Sequence, residues 1–542
     1  MSASAYRRFR IICGGLVLAF CALSFADIGN WVSAGMARIA LWPQFAPSLL
    51  GMLHGAGWIS AGCLAVIALT LVCGRVYCAM LCPLGVLMDF SAWLAGRTGK
   101  KRKLAYRPGR PWLRAVPVAV CAAGLLAGTA LPLAFLDPFS LFGKITASTL
   151  RPALGWSNHL LAATKLINPV NVSPVAWAGA GVALGLLLLV VVSAVLRGRL
   201  WCNTVCPVGA VLGFFSKHAL FRLRIADAAC VGCSACERVC PAQCIDFRKH
   251  TIDHSRCVMC LDCVTSCKRG GISLVSGKKS EPAGNSAASA RAACRTPAGT
   301  LPPASRRAFL TAALILPAAA MADGQHGKRQ RFRSRDGGGG SHPCSGDGHG
   351  PPMRNDKQPV LPPGARSLAH FQSRCTACHL CVANCPEQVL RPSITRHGLA
   401  GFLQPYQDFS VAFCSYNCSN CSQICPTGAI QPITVEERRL VRTGTVRFYR
   451  GRCIVKTEGT SCGACSEHCP TQAVHMVPWK DGLTIPEIDE DLCIGCGACE
   501  FICPVLPRKA IIVSGLTVHE RAKAVVAGQK NTVRRMEEEF PF

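Results

Sequence analysis

Eight cysteines between Cys230 and Cys267 constrain this chain more than any other feature. Cys230, Cys233, Cys236 and Cys240, followed by Pro241, form a C-x2-C-x2-C-x3-C-P run, and Cys257, Cys260, Cys263 and Cys267 repeat its spacing. This is the bacterial ferredoxin pattern for two [4Fe-4S] clusters. Three thiolates in a tight loop reach three irons of one cubane. The fourth thiolate, beyond the turn at Pro241, points at the neighbouring cluster. The expected ligand sets are therefore Cys230, Cys233 and Cys236 with Cys267, and Cys257, Cys260 and Cys263 with Cys240. The spacer Cys244 to His254 suits a short hairpin between the two halves. Lys268 stands where a proline often follows the last ligand. The double register argues against zinc or a disulfide framework.

The last third of the chain repeats the theme. Cys375, Cys378, Cys381 and Cys385 form a regular run, as do Cys493, Cys496, Cys499 and Cys503. Between them lie Cys414, Cys418, Cys421 and Cys425, then Cys453, Cys462, Cys465 and Cys469, each with a longer first gap. The likeness of the outer two runs and of the inner two favours nested pairing, first with fourth and second with third; adjacent pairing is the alternative. Segments Ala473 to Ile488 and Ala510 to Ser514 are expected as short strands. Six runs among the 36 cysteines imply about six [4Fe-4S] clusters, assembled where thiols stay reduced.

A chain of 542 residues with 50% hydrophobic content is too long and too apolar for one soluble domain. Apolar runs at Ile11–Ala26 and at about Leu49–Cys73, Ala115–Leu136 and Pro174–Leu196 are expected to span a membrane four times. The net charge of +30 falls mainly beside these runs and in linkers, so it points to membrane topology and not to nucleic acid. Arginines before the first run and the basic stretch Arg97 to Arg114 favour a cytoplasmic N-terminus and a cytoplasmic first ferredoxin.

An internal repeat lies at two of the span exits. Gly74-Arg75-Val76-Tyr77-Cys78-Ala79-Met80-Leu81-Cys82-Pro83-Leu84-Gly85 matches Gly198-Arg199-Leu200-Trp201-Cys202-Asn203-Thr204-Val205-Cys206-Pro207-Val208-Gly209. Cysteines at i and i+4 share a helical face, where Cys78, Cys82, Cys202 and Cys206 could ligate a metal, form redox pairs or pack. They are the candidate catalytic residues. Asp137-Pro138-Phe139-Ser140, expected in an outer loop, and His54 and His159 near outer span ends are candidates for contact with a quinol head group. The four spans, the doubled motif, the Asp-Pro-Phe-Ser segment and the following ferredoxin together resemble the NapH-type membrane ferredoxin family, over about residues 1 to 275. That resemblance implies a quinol-oxidising membrane subunit.

From residue 276 to 304 the composition is that of a linker. Ser305-Arg306-Arg307-Ala308-Phe309-Leu310, with an apolar run to Ala320, reads as an internal twin-arginine export signal within 305–322. A Gly- and Pro-rich linker follows over 323–366. The signal with the four runs over 367–515 resembles the NapG-type exported ferredoxin, so the chain reads as a fusion of two partners, ending in a tail over 516–542. The expected fold class is an α-helical membrane domain over 1–225, then ferredoxin-like α+β [4Fe-4S] domains over 226–275 and 367–515. The expected function is a bacterial inner-membrane relay from the quinone pool to a periplasmic reductase, dehydrogenase or cytochrome, with the second ferredoxin periplasmic. An assembly or redox-sensing factor for a metalloenzyme is the main alternative. A wholly cytoplasmic protein fed by a soluble ferredoxin is the other.

Overall fold

The computed structural model describes residues 3–29, 31–53, 61–97, 104–164, 177–276 and 358–524. The export segment at 305–322, the linker at 277–304, residues 323–357 and His54 lie outside the described residues.

Helix α1 (Ala3–Ala26) is an unbroken apolar run without proline. It stops where the Asp27 carboxylate accepts the Gly29 and Val32 amides at 3.1 and 2.8 Å and turns the chain. Helix α2 (Ala34–Leu41) starts at Ser33, whose hydroxyl accepts the Met36 amide. Within the expected span at Leu49–Cys73 the described residues form α3 (Phe45–Leu53) and α4 (Ala61–Cys73). The short α5 (Tyr77–Met80) and α6 (Pro83–Arg97) carry the first cysteine motif. The expected span at Ala115–Leu136 is also divided, into α7 (Pro111–Leu126) and α8 (Leu131–Leu136), because Gly128 takes a left-handed φ of 73°. The Asp137-Pro138 segment is not a loop. Asp137 caps α9 (Pro138–Ala162) by accepting the Ser140 amide at 2.8 Å, with proline at the first helical position. Helix α10 (Trp177–Arg197) leads to α11 (Leu200–Thr204) and α12 (Pro207–Ser216), which carry the second motif. Among the described residues two helices are long and apolar enough to cross a membrane, Ala3–Ala26 and Gly179–Arg197, in place of the four expected.

The first ferredoxin is closed by β1 (Phe221–Ile225) against β4 (Ile272–Ser276), antiparallel with Phe221 opposite Ser276. The expected hairpin is β2 (Ile245–Asp246) with β3 (Thr251–Ile252). In the C-terminal part, β5 (Leu390–Pro392) pairs with β6 (Pro405–Gln407), β7 (Val441–Phe448) with β10 (Ile511–Arg521), and β8 (Val474–Pro478) with β9 (Thr484–Ile488). Residues 358–366, assigned by composition to the linker, pack into this part. Val360 and Leu361 are buried, and the Val360 and Gly364 carbonyls accept the Gln407 and Gln431 amides. Strand β10 likewise runs to Arg521, past the expected start of the tail.

Helix α1 holds one ferredoxin at each end. Near its start, Arg7 and Arg10 lie 3.2 and 3.3 Å from Asp262, and the Tyr6 hydroxyl donates to the Met259 carbonyl. Near its finish, the Ser24 carbonyl accepts from Asn384 at 3.0 Å. Arg38 of α2 reinforces that second contact by donating to the Gln423 backbone and side-chain oxygens at 2.7 and 2.8 Å. The 14 residues from Arg10 to Ser24 set the two docking points about 21 Å apart along the helix.

Candidate functional site

The regular cysteine runs share one backbone conformation. The residues on either side of the second cysteine take left-handed φ values: Gly232 and Ser234 around Cys233, Met259 and Leu261 around Cys260, Ala377 and His379 around Cys378, and Gly495 and Gly497 around Cys496. Left-handed backbone at non-glycine residues is costly. Its recurrence at equivalent positions curls each loop so that three thiols face one point. A second recurrence follows the fourth cysteine of five runs, where Gln243, Gly270, Gln388, Gly428 and Gln472 are also left-handed. Gly270 keeps this turn although Lys268 replaces the usual proline.

The thiols gather in fours. Cys425 lies with Cys375, Cys378 and Cys381. Cys385 lies with Cys414, Cys418 and Cys421, and these four line one hollow. Cys503 joins Cys453, Cys462 and Cys465 around another hollow. Cys469 joins Cys493, Cys496 and Cys499. The pairing is thus adjacent, first run with second and third with fourth, and the nested expectation is corrected. Each adjacent pair is a two-cluster unit in which the fourth cysteine crosses over. The longer gaps of the inner runs are loop insertions and say nothing about partnership. In the first ferredoxin Cys240 lies with Cys257, Cys260 and Cys263, as the spacing implies.

The donor chemistry fits iron-sulfur clusters. Burial pushes the Cys385 and Cys493 thiols up to about 11, and Cys378, Cys465 and Cys496 up to about 12. Such thiols ionise when cationic irons are bound, and cluster binding is then coupled to folding. Backbone amides donate to ligand sulfurs, Ile430 to Cys425 and Gly495 to Cys493, both at 3.4 Å. Amides aimed at sulfur favour the thiolate and tune the potential. Among the described residues no three His, Cys, Asp or Glu side chains are grouped to hold a single metal ion.

Two features escaped the sequence reading, one in the C-terminal unit and one in the first ferredoxin. Arg438 is fully buried, and its Nη2 donates to Cys414 Sγ at 3.3 Å. Burial is the largest influence and works against its charge, but the sulfurs of Cys414, Cys496 and Cys421 together outweigh it and raise its pKa. The Cys414 amide donates to the Cys496 carbonyl at 2.9 Å, so the two-cluster units meet at this arginine. Cys378 packs into the core of the helical domain, while Cys414 and Cys496 face each other across the two two-cluster units. The only advance sign was the Thr434–Glu437 capping box that starts the arginine's short helix. The second feature is Cys244, whose buried sulfur lies 3.6 Å from the ligand Cys240.

The doubled motif is explained by a reciprocal clamp. Arg75 of the first copy donates to the Cys202 carbonyl of the second at 3.1 Å and to its own Cys78 Sγ at 3.7 Å. Arg199 of the second copy donates to the Cys78 carbonyl of the first and forks onto Asp89. Both arginines are buried, at 0% and 1% exposure. Gly74 and Gly198 supply left-handed turns into each motif, and Pro83 and Pro207 open the helices that follow. Gly85 and Gly209 leave room for the clamp: a Cβ at either would overlap the carbonyl of Cys78 or Cys202. Cys78, Cys82, Cys202 and Cys206 are all buried in one core, which also contains Cys260 of the first ferredoxin and Cys378 of the second. His159, by contrast, is exposed at the end of α9 and meets none of these groups.

Comparison with known proteins agrees with these sites. A family model described as "4Fe-4S binding domain" matches residues 55–101 and 179–225, and one described as "4Fe-4S dicluster domain" matches residues 460–506. The chain is 29% identical to the methylamine utilization ferredoxin-type protein MauN of Paracoccus denitrificans, over 38% of this chain and 58% of that protein. It is 29% identical to the ferredoxin-type protein NapF of Escherichia coli, over 27% of this chain and 80% of that protein. It is 33% identical to the methylamine utilization ferredoxin-type protein MauM of Methylobacillus flagellatus, over 28% of this chain and 67% of that protein. No solved structure matches. With its shared cysteine loops and these relatives, the chain belongs to the family of [4Fe-4S] ferredoxin-type proteins that includes MauM.

Proposed function

We propose that this protein is a membrane relay carrying electrons between the quinol pool and a redox enzyme or cytochrome outside the cytoplasmic membrane. The supporting observation is the placement of the two ferredoxin units at opposite ends of α1, through Asp262 at one end and Asn384 at the other. A helix of that length and apolarity suits a membrane span. In this reading the first ferredoxin is cytoplasmic, next to Arg7 and Arg10, and the four-site ferredoxin is periplasmic. The Arg306-Arg307 segment serves its export, and four crossings complete the anchor. Six cubanes would be held in the ferredoxin units by the 24 cysteines of the six runs. Bound there, they supply one-electron acceptor sites. The chain's own residues bury them, donate hydrogen bonds to their sulfurs and hold them in sequence.

Anaerobic membranes containing the protein are the material for the test. A reduced ubiquinol or menaquinol analogue should generate new low-temperature EPR signals of reduced clusters, approaching the intensity that dithionite produces. If dithionite develops those signals and neither quinol does, the quinol reading fails and a redox-sensing or assembly role takes its place.

A further inference from the structure

We infer that Cys78, Cys82, Cys202 and Cys206 form one shared four-thiolate site that holds a seventh iron-sulfur centre and links the two ferredoxins through the membrane domain. The "4Fe-4S binding domain" match falls on each repeat separately. The geometry instead joins the repeats, since each motif's arginine is spent on the other motif's cysteine carbonyl. The four sulfurs are mutual electrostatic neighbours: Cys82 with Cys78 and Cys202, and Cys206 with all three others.

Three observations give this site the character of a cluster site. The Gly209 amide donates to Cys206 Sγ at 3.3 Å, the same kind of contact that Gly495 makes to the ferredoxin ligand Cys493 at 3.4 Å. Arg75 faces Cys78 Sγ as Arg438 faces the ligand Cys414. Asp89 balances the Arg199 charge, but the buried Arg75 guanidinium meets Asn203, two carbonyls and Cys78 Sγ with no carboxylate among these contacts, and a thiolate-ligated centre would supply the negative charge that stabilises it.

Its position supplies the function. Towards the first ferredoxin, the Arg199 amide donates to the Pro241 carbonyl next to the ligand Cys240, and Arg75 Nη1 donates to the Ser255 carbonyl two residues before the ligand Cys257. Towards the second, Tyr77, Cys82, Phe139, Phe142 and Cys378 share one buried core. Lys144 is buried against Cys378, and a Cβ at Gly143 would overlap the Cys378 carbonyl. The docking points, about 21 Å apart along α1, thus have a redox-capable site between them. Each passage through it removes one electron from a reduced neighbour and gives one to an oxidised neighbour, with no bond to the protein made or broken. The role as a link rests on the electron-relay reading; the existence of the centre does not.

Iron and acid-labile sulfide counted on the anaerobically purified full chain decide the matter. The unmodified protein should carry about 28 irons, seven cubanes of four, against about 24 if only the ferredoxin sites are filled. Cys82→Ser, Cys206→Ser and the double variant should each lose the same one seventh of the iron, because either change dismantles a shared site. Dithionite-reduced ferredoxin signals should persist in all three, which reports that the ferredoxin units remain folded. An unmodified protein at about 24 irons overturns the inference without recourse to any variant. So does a double variant that loses twice what each single variant loses, which would mean one centre per repeat. The counts hold whether or not quinol is the donor, so they fail independently of the quinol test.

Discussion

Arg438→Gln should lower the reduction potentials of the two clusters nearest Cys414 and Cys496 by about 100 mV, roughly 2.3 kcal/mol per electron. Reduction adds negative charge to a thiolate-ligated cluster, and the buried guanidinium 3.3 Å from Cys414 Sγ stabilises that charge. Glutamine removes the charge and leaves two buried sites facing each other without a cation. The effect should be confined to these two sites, because the sulfurs that Arg438 faces are those of Cys414, Cys421 and Cys496. Arg438→Lys keeps the charge on a different geometry and should fall between the two. Breaking a buried ionic contact also costs about 3–5 kcal/mol of stability, so the C-terminal unit should unfold at lower temperature. EPR-monitored redox titration of the three proteins reads the potentials. Equal midpoints in all of them would remove Arg438 from the electron path.

A single methyl group placed in the cross-clamp should damage the helical domain, whereas the same change elsewhere should not. The Cβ of Gly209→Ala overlaps the Cys202 carbonyl oxygen and lies 2.8 Å from Arg75 Nη2, both of which are fixed by the clamp. Overpacking of this kind typically costs about 1–3 kcal/mol, and here the obstacle is backbone, which cannot yield as a side chain does. Gly181→Ala, in α10, meets nothing within 4 Å and should be neutral or slightly stabilising, since alanine is the better helix former. Thermal unfolding in detergent, followed by a thiol-reactive dye that reports exposure of the buried motif cysteines, should show the Gly209 variant melting about 5 °C or more below Gly181→Ala. Coincident melting curves would mean that the reciprocal arginine contacts do not hold the repeats together.

Much of this was legible in the sequence, for identifiable reasons. A cubane demands thiolates at short, regular spacing, so the four C-terminal runs and the Cys257 run each bring their thiols together with a fourth cysteine from a neighbouring run, and the Cys240 crossover followed from the same rule. The pairing of the C-terminal runs was misread because likeness of spacing was taken as a guide to partnership. Partnership is set by where the fourth cysteine points after its turn, and that depends on the fold. Mean apolarity does not register a left-handed break such as Gly128 or a capped start such as Asp137, so the helix ends within the expected spans were not legible. The doubled motif was visible as a repeat, but its reason was not. The arginine of each copy acts on the other copy, and only tertiary structure brings positions 75 and 202, or 199 and 78, together. Arg438 looked like one of many basic residues, and its burial beside Cys414 comes from packing between two units that local patterns do not encode.

The most direct test of the account is whether electrons pass from one ferredoxin to the other through the membrane domain. The full chain can be reconstituted into sealed proteoliposomes without quinone, with an impermeant oxidant such as cytochrome c trapped inside and an impermeant reductant added outside. The account predicts steady reduction of the trapped cytochrome, and its near-complete loss with Cys82→Ser although that variant retains its ferredoxin EPR signals. No reduction by the unmodified protein, or equal rates with Cys82→Ser, would contradict it.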